Sequence, residues 1–197
     1  KGLQCVATDA HRLVRYKRKD VKCPKADSFI VPRKPLNLVK TAIPFNEDEI
    51  TISYNSNHLF VKHGTTQMSC RLIDARFPDY KVVIPTDNPY RLTVNKNDFQ
   101  GALRRVSVFS NKSTNQVALS ISGSELQLAA QDVDFSFEGN ERMKCQYNGE
   151  DLMIAFNARF LIEMLSAADS DEINMELSTP TKAGIIKPME ADENEEL

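Results

Sequence analysis

One order of elements recurs along this chain. Phe29–Tyr54 reads FIVPRKPLNLVKTAIPFNEDEITISY, and Met153–Ser178 reads MIAFNARFLIEMLSAADSDEINMELS. Each runs strand, amphipathic helix, acidic turn, strand. With one gap, Ile30 aligns with Ile154, Leu36 with Phe160, and Asp48-Glu49-Ile50 with Asp171-Glu172-Ile173, an offset of about 123 residues. A recurrence of element order at that distance predicts two copies of one α+β unit. The second copy starts near Pro85–Tyr90, whose two prolines suit a linker. The chain then divides into residues 1–86 and 87–197. A helix precedes the repeat in the second copy and none does in the first, so the chain reads as a fragment beginning inside a domain.

The residues around the repeat are strand-like. Ile50–Tyr54, a polar Asn55-Ser56-Asn57 turn, Leu59–Lys62 and Gln67–Ile73 form one series. Val117–Ile121 turns at Ser122-Gly123-Ser124 and returns as Leu126–Ala130, and Phe135, Phe137, Met143, Cys145 and Tyr147 extend it. Short alternating runs with turn signals indicate half-buried antiparallel strands. Three segments have helical spacing instead: Arg33–Ile43 (Leu36, Val39, Lys40, Ile43), Asn97–Phe109 (Phe99, Leu103, Val106, Phe109) and Asn157–Ala168 (Phe160, Leu161, Met164, Leu165). Asn95 or Asn97 caps the second, and Asn157 the third. One apolar stripe per helix places each on a sheet with its other face exposed. The fold class is α+β, antiparallel sheets with helices packed on one face.

A hydrophobic fraction of 41% and a charged fraction of 26% are ordinary for a folded chain and exclude disorder. No apolar run approaches the roughly 20 residues a membrane helix needs, and no signal peptide is visible at KGLQCVATDAH. Cys5, Cys23, Cys70 and Cys145 lack metal-site spacing. Cys5, Cys70 and Cys145 sit in strand-like runs and read as small buried apolar residues, reduced in a cytoplasmic protein. The net charge of −2 conceals an asymmetry: residues 1–86 hold 15 basic against 8 acidic residues, net +7, and residues 87–197 hold 10 against 19, net −9. A basic half joined to an acidic half suits a polyanion on one side and a different partner elsewhere.

No phosphate-loop, dinucleotide-binding, zinc-protease or nucleophile-elbow motif occurs. The tightest polar cluster is Thr8-Asp9-Ala10-His11-Arg12. Asp9 and His11 could ligate a metal, but a hydrogen-bonded turn needs no further ligand. The second cluster is Asp74-Ala75-Arg76-Phe77-Pro78-Asp79-Tyr80. It reads as a rigid corner in which Arg76 pairs with an acid and Phe77 packs inward, while Pro78, Val82 and Val83 leave apolar surface for a pocket wall. His58 and His63 sit among polar residues and read as exposed. Basic residues recur at Arg12, Arg15, Lys17, Arg18, Lys19, Lys22 and Lys25, then at Arg33, Lys34 and Lys40, and again at Arg104 and Arg105. On exposed helix faces such residues hold phosphates without reading bases.

At ATDAHRLV (Ala7–Val14), IVPRK (Ile30–Lys34), RFPDY (Arg76–Tyr80) and FNARFLIEML (Phe156–Leu165) the chain resembles the bacterial sliding clamp, the β subunit of DNA polymerase III, in that family's order and spacing. The resemblance covers nearly all of it: the later part of the middle domain, then most of the C-terminal domain. It implies a DNA-clamp fold and a cytoplasmic, non-catalytic processivity factor without cofactor or metal. Such clamps are homodimeric rings that encircle duplex DNA without reading its sequence. On this reading the helices at Arg33, Asn97 and Asn157 line the hole, with Arg33, Lys34, Lys40, Arg104 and Arg105 facing DNA. Val108 and Phe109 would sit at the ring interface. A pocket between the two domains would take short linear motifs from the replicative polymerase, the clamp loader and repair proteins. Its residues would be Thr8, Ala10, His11, Arg12, Leu13, Pro78, Val82, Val83, Asn157, Phe160, and Thr181 and Ala183 from a following strand.

The chain departs from the family in three ways. Ala10 replaces the usual glycine, and Phe160 replaces a tyrosine. An acidic run, Glu190–Leu197, stands where an apolar last strand is expected, so the C-terminal domain is expected to lack that strand and the pocket its floor. On the resemblance, the family's N-terminal domain is expected to be missing from this sequence as well. Two other functions compete: a metal-dependent nucleic-acid phosphodiesterase using Asp9, His11, Asp74 and Asp79, and a peptide-binding adaptor unrelated to DNA.

Overall fold

Between Tyr90 and Leu177 nearly every strand buries alternate residues, as period-2 patterning requires when one sheet face meets a core. The computed structural model describes residues 2–22, 25–43, 49–190, 193 and 195–196. In chain order the elements begin with β1 (Leu3–Thr8), β2 (Leu13–Arg18), α1 (Arg33–Ala42), β3 (Thr51–Tyr54), β4 (His58–His63) and β5 (Thr66–Arg71). Next come β6 (Tyr90–Asn95), α2 (Lys96–Val106), β7 (Gln116–Ser122), β8 (Glu125–Asp132), β9 (Phe137–Lys144) and β10 (Gln146–Tyr147). The last are β11 (Leu152–Asn157), α3 (Ala158–Ala167), β12 (Glu172–Leu177), β13 (Ile185–Pro188) and β14 (Glu195–Glu196). Single 3₁₀ turns lie at Tyr80–Val83 and Ser107–Phe109. No helix among the described residues is long and apolar enough to cross a membrane.

The chain forms two compact units, Pro24–Tyr80 and Lys1–Cys23 with Lys81–Leu197. The smaller is the antiparallel meander β3-β4-β5 with α1. Leu59, Val61 and Cys70 form its core, and Val39 and Ile43 of the α1 segment pack on it with Val31, Tyr54, Met68 and Leu72. The α1 stripe is narrower than its spacing predicts: Leu36 and Leu38 are exposed. Asp48 of the repeated acidic turn, and Cys23, lie outside the described residues.

The larger unit holds two four-stranded sheets, β10-β6-β12-β13 and β11-β7-β8-β9. Their inward residues share one core with the buried faces of α2 (Phe99, Ala102, Leu103, Val106) and α3 (Ala158, Leu161, Leu165). Asn95 caps α2 by accepting the Asp98 N–H at 3.0 Å. Asn157 caps α3 by accepting the N–H groups of Arg159 at 3.0 Å and Phe160 at 3.3 Å. Gln100 joins the helices, donating to the Ile162 carbonyl at 3.0 Å and the Ser166 hydroxyl at 2.7 Å. A third sheet, β1-β2-β14, belongs to this unit.

Several expectations are corrected here. Cys5 is exposed, because the outer strand β1 leaves nearly all its side chains to solvent. Phe135 lies in the β8–β9 turn rather than on a strand, and stacks at 6.1 Å on Phe137. Thr181 and Ala183 lie in the turn after β12, not on a strand. An apolar strand does follow that turn: β13 pairs Ile186 with Met175 and Ile185 with Glu176 before the acidic run starts. This strand is four residues long and ends at Pro188.

Candidate peptide-binding site

The turn between β1 and β2 is built by its own side chains. The Asp9 carboxylate accepts the backbone N–H groups of His11 at 3.1 Å and Arg12 at 3.0 Å, and its second oxygen accepts Arg12 Nε at 3.0 Å. Thr8 Oγ1 donates to the Arg12 carbonyl at 2.8 Å and accepts the Ala10 N–H at 3.2 Å. Ala10 takes the left-handed conformation, φ +71°, that an L side chain resists and glycine adopts freely. Partial desolvation works to raise the Asp9 carboxyl, but the Arg12 guanidinium and the two backbone N–H groups outweigh it and hold the group below its ordinary range.

This turn meets the first turns of α3. The Arg12 guanidinium carbon stands 4.7 Å from the centre of the Phe160 ring, and His11 stacks on the same ring at 5.5 Å. Arg12 Nη2 donates to Glu163 at 2.6 Å, and Nη1 approaches the Phe160 carbonyl at 3.4 Å. The Glu163 bond, then that of Asp9, raises the Arg12 pKa against some desolvation. Of the five guanidinium N–H groups, three are engaged by Asp9, the Phe160 carbonyl and Glu163. Leu13 opens β2 half-buried, and Asn157 positions Phe160 through the cap while donating to the Thr114 carbonyl at 3.0 Å.

Elsewhere in the larger unit a concavity of about 290 Å³ is lined by Val82–Asp87 with Lys182 and Ala183. Val82 and Val83 are 77% and 61% exposed, an unusual position for two adjacent valines. The structure thus groups Thr8, Ala10, His11, Arg12 and Phe160 at the turn, and Val82, Val83 and Ala183 around the cavity. Thr181 stands 3.5 Å from the Thr179 hydroxyl. Pro78 belongs to the smaller unit, exposed, its carbonyl accepting the Tyr80 N–H at 2.8 Å. Phe77 meets Tyr80 edge-on at 6.4 Å as the rigid corner requires, but Arg76 is exposed and no ion pair holds it among the described residues.

Two positions beside the turn and the cavity escaped the sequence reading. Glu163 completes the Arg12 clamp from a solvent-facing helix position, where nothing in its neighbourhood marks it. Asn88 bridges the Glu176 and Ala183 carbonyls, each at 3.0 Å, and so fixes the cavity wall; the Asn88-Pro89 turn was its available signal.

Arg33, Lys34 and Lys40 are exposed on α1, and Arg104 on α2. Arg105 is different. It makes a bidentate pair with Glu141 of β9, at 2.9 and 2.6 Å, which neutralises it and holds the Glu141 carboxyl below its ordinary range. Val108 and Phe109 are 63% and 39% exposed beside β9, the outer strand of its sheet. The Phe109 ring lies so close to Gly139 of β9 that a Cβ there would fall 2.3 Å from it. The Asp9 carboxylate is engaged by the turn. No group of three or more His, Cys, Asp or Glu among the described residues gathers to hold a metal.

The central-domain model of the DNA polymerase III beta subunit matches residues 1–79, and its C-terminal-domain model matches residues 81–197. A beta sliding clamp of Staphylococcus epidermidis is 28% identical over 191 residues, 96% of this chain and 51% of the relative. One of Haemophilus influenzae is 29% identical over 188 residues, 95% and 51%. The chain spans about half the length of the curated relatives it matches. A sliding clamp from Bartonella birtlesii, solved bound to griselimycin, superposes with a TM-score of 0.88 at 30% identity, over 98% of this chain and 52% of that one. A Pseudomonas aeruginosa clamp gives 0.92 at 24% identity, over 98% and 54%, a likeness of fold. The antiparallel sheets and their helices are thus a DNA-clamp fold, and the chain belongs to the family of the DNA polymerase III beta subunit, the polymerase's non-catalytic sliding clamp.

Proposed function

We propose that this chain is the central and C-terminal part of a cytoplasmic sliding clamp. In the whole ring it encircles duplex DNA and tethers the replicative polymerase, the clamp loader and repair proteins. The observation that carries the tethering role is the Arg12 clamp. A guanidinium is fixed between Asp9, Glu163 and the Phe160 face, as a receptor for a peptide carbonyl or carboxylate requires. Val82, Val83 and Ala183 supply apolar surface for motif side chains. Pro78, exposed in the smaller unit, is assigned to motif binding on the family's pattern alone. Arg33, Lys34, Lys40 and Arg104 supply sequence-independent phosphate contacts; Arg105 contributes less, being already paired. Val108 and Phe109, with the open edge of β9, are where a second protomer's N-terminal domain would close a homodimeric ring.

The test is fluorescence anisotropy of a labelled clamp-binding peptide against this chain, Arg12→Ala and Pro78→Ser. We expect Arg12→Ala to weaken binding at least tenfold with the fold intact by circular dichroism. Unaltered binding in Arg12→Ala would remove the turn from the site. Absence of binding by the parent chain would overturn the tethering role of these residues.

A further inference from the structure

The smaller unit holds a cavity of about 500 Å³ that the clamp reading does not use. That volume falls in the range of small-molecule sites, roughly 300–1,000 Å³. Three segments line it, and backbone hydrogen bonds tie them together. The Ile73 N–H donates to the Ile30 carbonyl at 3.0 Å, which fastens the segment carrying Phe29 to the one carrying Leu72. The Leu72 N–H donates to the Asn57 carbonyl at 2.7 Å, which fastens the β3–β4 turn to the same place. Asn55 builds that turn: its Oδ1 accepts the N–H groups of Asn57 at 2.9 Å and His58 at 2.8 Å. The cavity is therefore framed before anything enters it.

Its lining joins two chemistries. The Phe29 ring packs on Tyr54 at 4.6 Å, yet Phe29 is 40% exposed and keeps surface for a second planar ring to stack on. Hydrogen-bond donors share the cavity with it: the Ser28 and Ser56 hydroxyls, the Asn55 amide NH2 left over from the turn, and the Lys25 ammonium. No ion pair holds Lys25 among the described residues. Such donors suit a phosphate. Asp27 spends Oδ1 on the Ser28 N–H at 2.9 Å and keeps its other oxygen, which suits the exocyclic amino group of a base. A phenyl ring offers no such group.

We propose that this cavity seats one nucleotide, with the base on Phe29, the phosphate on Lys25, and Asp27 favouring bases that carry an amino group over thymine. A free nucleotide and an unpaired nucleotide of a single strand present the same chemistry. A base inside a duplex does not, because its neighbours cover both of its faces. The site does not depend on the clamp reading: none of its residues belongs to the Arg12 turn or to the helix cations.

The test is fluorescence anisotropy at low salt with a labelled oligo-dC, a labelled oligo-dT of equal length, a labelled duplex, and unlabelled dCMP as competitor. The full chain is compared with Phe29→Ala, Lys25→Glu, Asp27→Ala and Arg104→Ala. Phe29→Ala and Lys25→Glu should each weaken oligo-dC binding about tenfold, the worth of one base stack, with unchanged circular dichroism. Lys25 is exposed, so its variant keeps the test sharp if Phe29→Ala fails to fold. Asp27→Ala should erase the preference for oligo-dC over oligo-dT. Arg104→Ala should weaken the duplex and leave that preference intact, which separates this site from the duplex contacts of the clamp. Displacement by dCMP would show that the free nucleotide suffices, and resistance to it would assign the site to single strands. Oligo-dC binding indifferent to both Phe29→Ala and Lys25→Glu, or none by the full chain, would overturn the site. Variants that change binding of the clamp-binding peptide and not of oligo-dC would overturn it in favour of a peptide.

Discussion

At Ala10 a methyl group occupies a backbone conformation that disfavours it. With φ at +71°, the residue carries roughly 1 kcal/mol of left-handed strain. Glycine removes that strain, offset in part by greater freedom in the unfolded chain. Ala10→Gly should therefore raise stability by about 0.5–1 kcal/mol, read as a higher urea midpoint at unchanged slope. The peptide site should keep its affinity, since the turn is also held by Asp9 and Thr8. The sequence brought this cluster to notice as unaccompanied polar residues, and its role came only through the family resemblance. The reason is physical: Arg12 and Phe160 are 148 positions apart, so no local pattern encodes their contact. Glu163, one turn further along α3, was invisible for the same reason.

At the scale of elements the caps are the informative features. Asn157 accepts two N–H groups at the start of α3 and donates to Thr114, so Asn157→Ala removes three hydrogen bonds. The expected cost is about 1 kcal/mol, with a further loss of peptide affinity because Phe160 is the third residue of α3. Thermal melts and the anisotropy titration measure the two effects separately. In the core, Phe99→Ala should cost about 3–5 kcal/mol, because Phe99 is fully buried between sheet and helix. Denaturant melts should show a collapse of the larger unit's transition. All three helices were legible to within a few residues, since their apolar spacing and asparagine caps are local signals. Leu36 was misread because spacing alone does not say how wide a stripe the neighbouring sheet can cover. β13 was missed because Ile185-Ile186 is too short a run to stand out beside eight residues of largely acidic sequence.

For the whole molecule, acid should act through a defined set of carboxyls. Asp9 and Glu141 lie below their ordinary ranges, as does Glu196, chiefly through Lys17. The Arg18 bond brings Asp20 down to about 2. Each folded-state pKa is depressed, so the native state binds fewer protons than the unfolded one in this window, and stability rises with pH across it. The contribution is fully present above the ordinary glutamate value of 4.5 and is lost as pH falls towards about 2. These groups are largely exposed, so 0.5 M salt should flatten the dependence. Urea midpoints between pH 2 and 7 at low and high salt test this. A midpoint that holds steady below pH 4 would show that these pairs contribute nothing.

The allocation of residues to the two units has a consequence for synthesis. β1 and β2 belong with residues 81–197, and their seat on α3 lies at a sequence separation of 148–151 residues. At a translation rate of about 5–20 residues per second, the hairpin emerges from the ribosome roughly 8–30 s before the helix it rests on. In that interval the basic strand β2 has neither its acidic partner nor its aromatic platform. Pro24–Tyr80, by contrast, has its core residues close together in sequence and can consolidate while the rest is being made. A nascent chain stalled far enough beyond Tyr80 for that residue to clear the ribosomal tunnel should protect β3-β4-β5 from protease and leave Leu3–Arg18 open to cleavage.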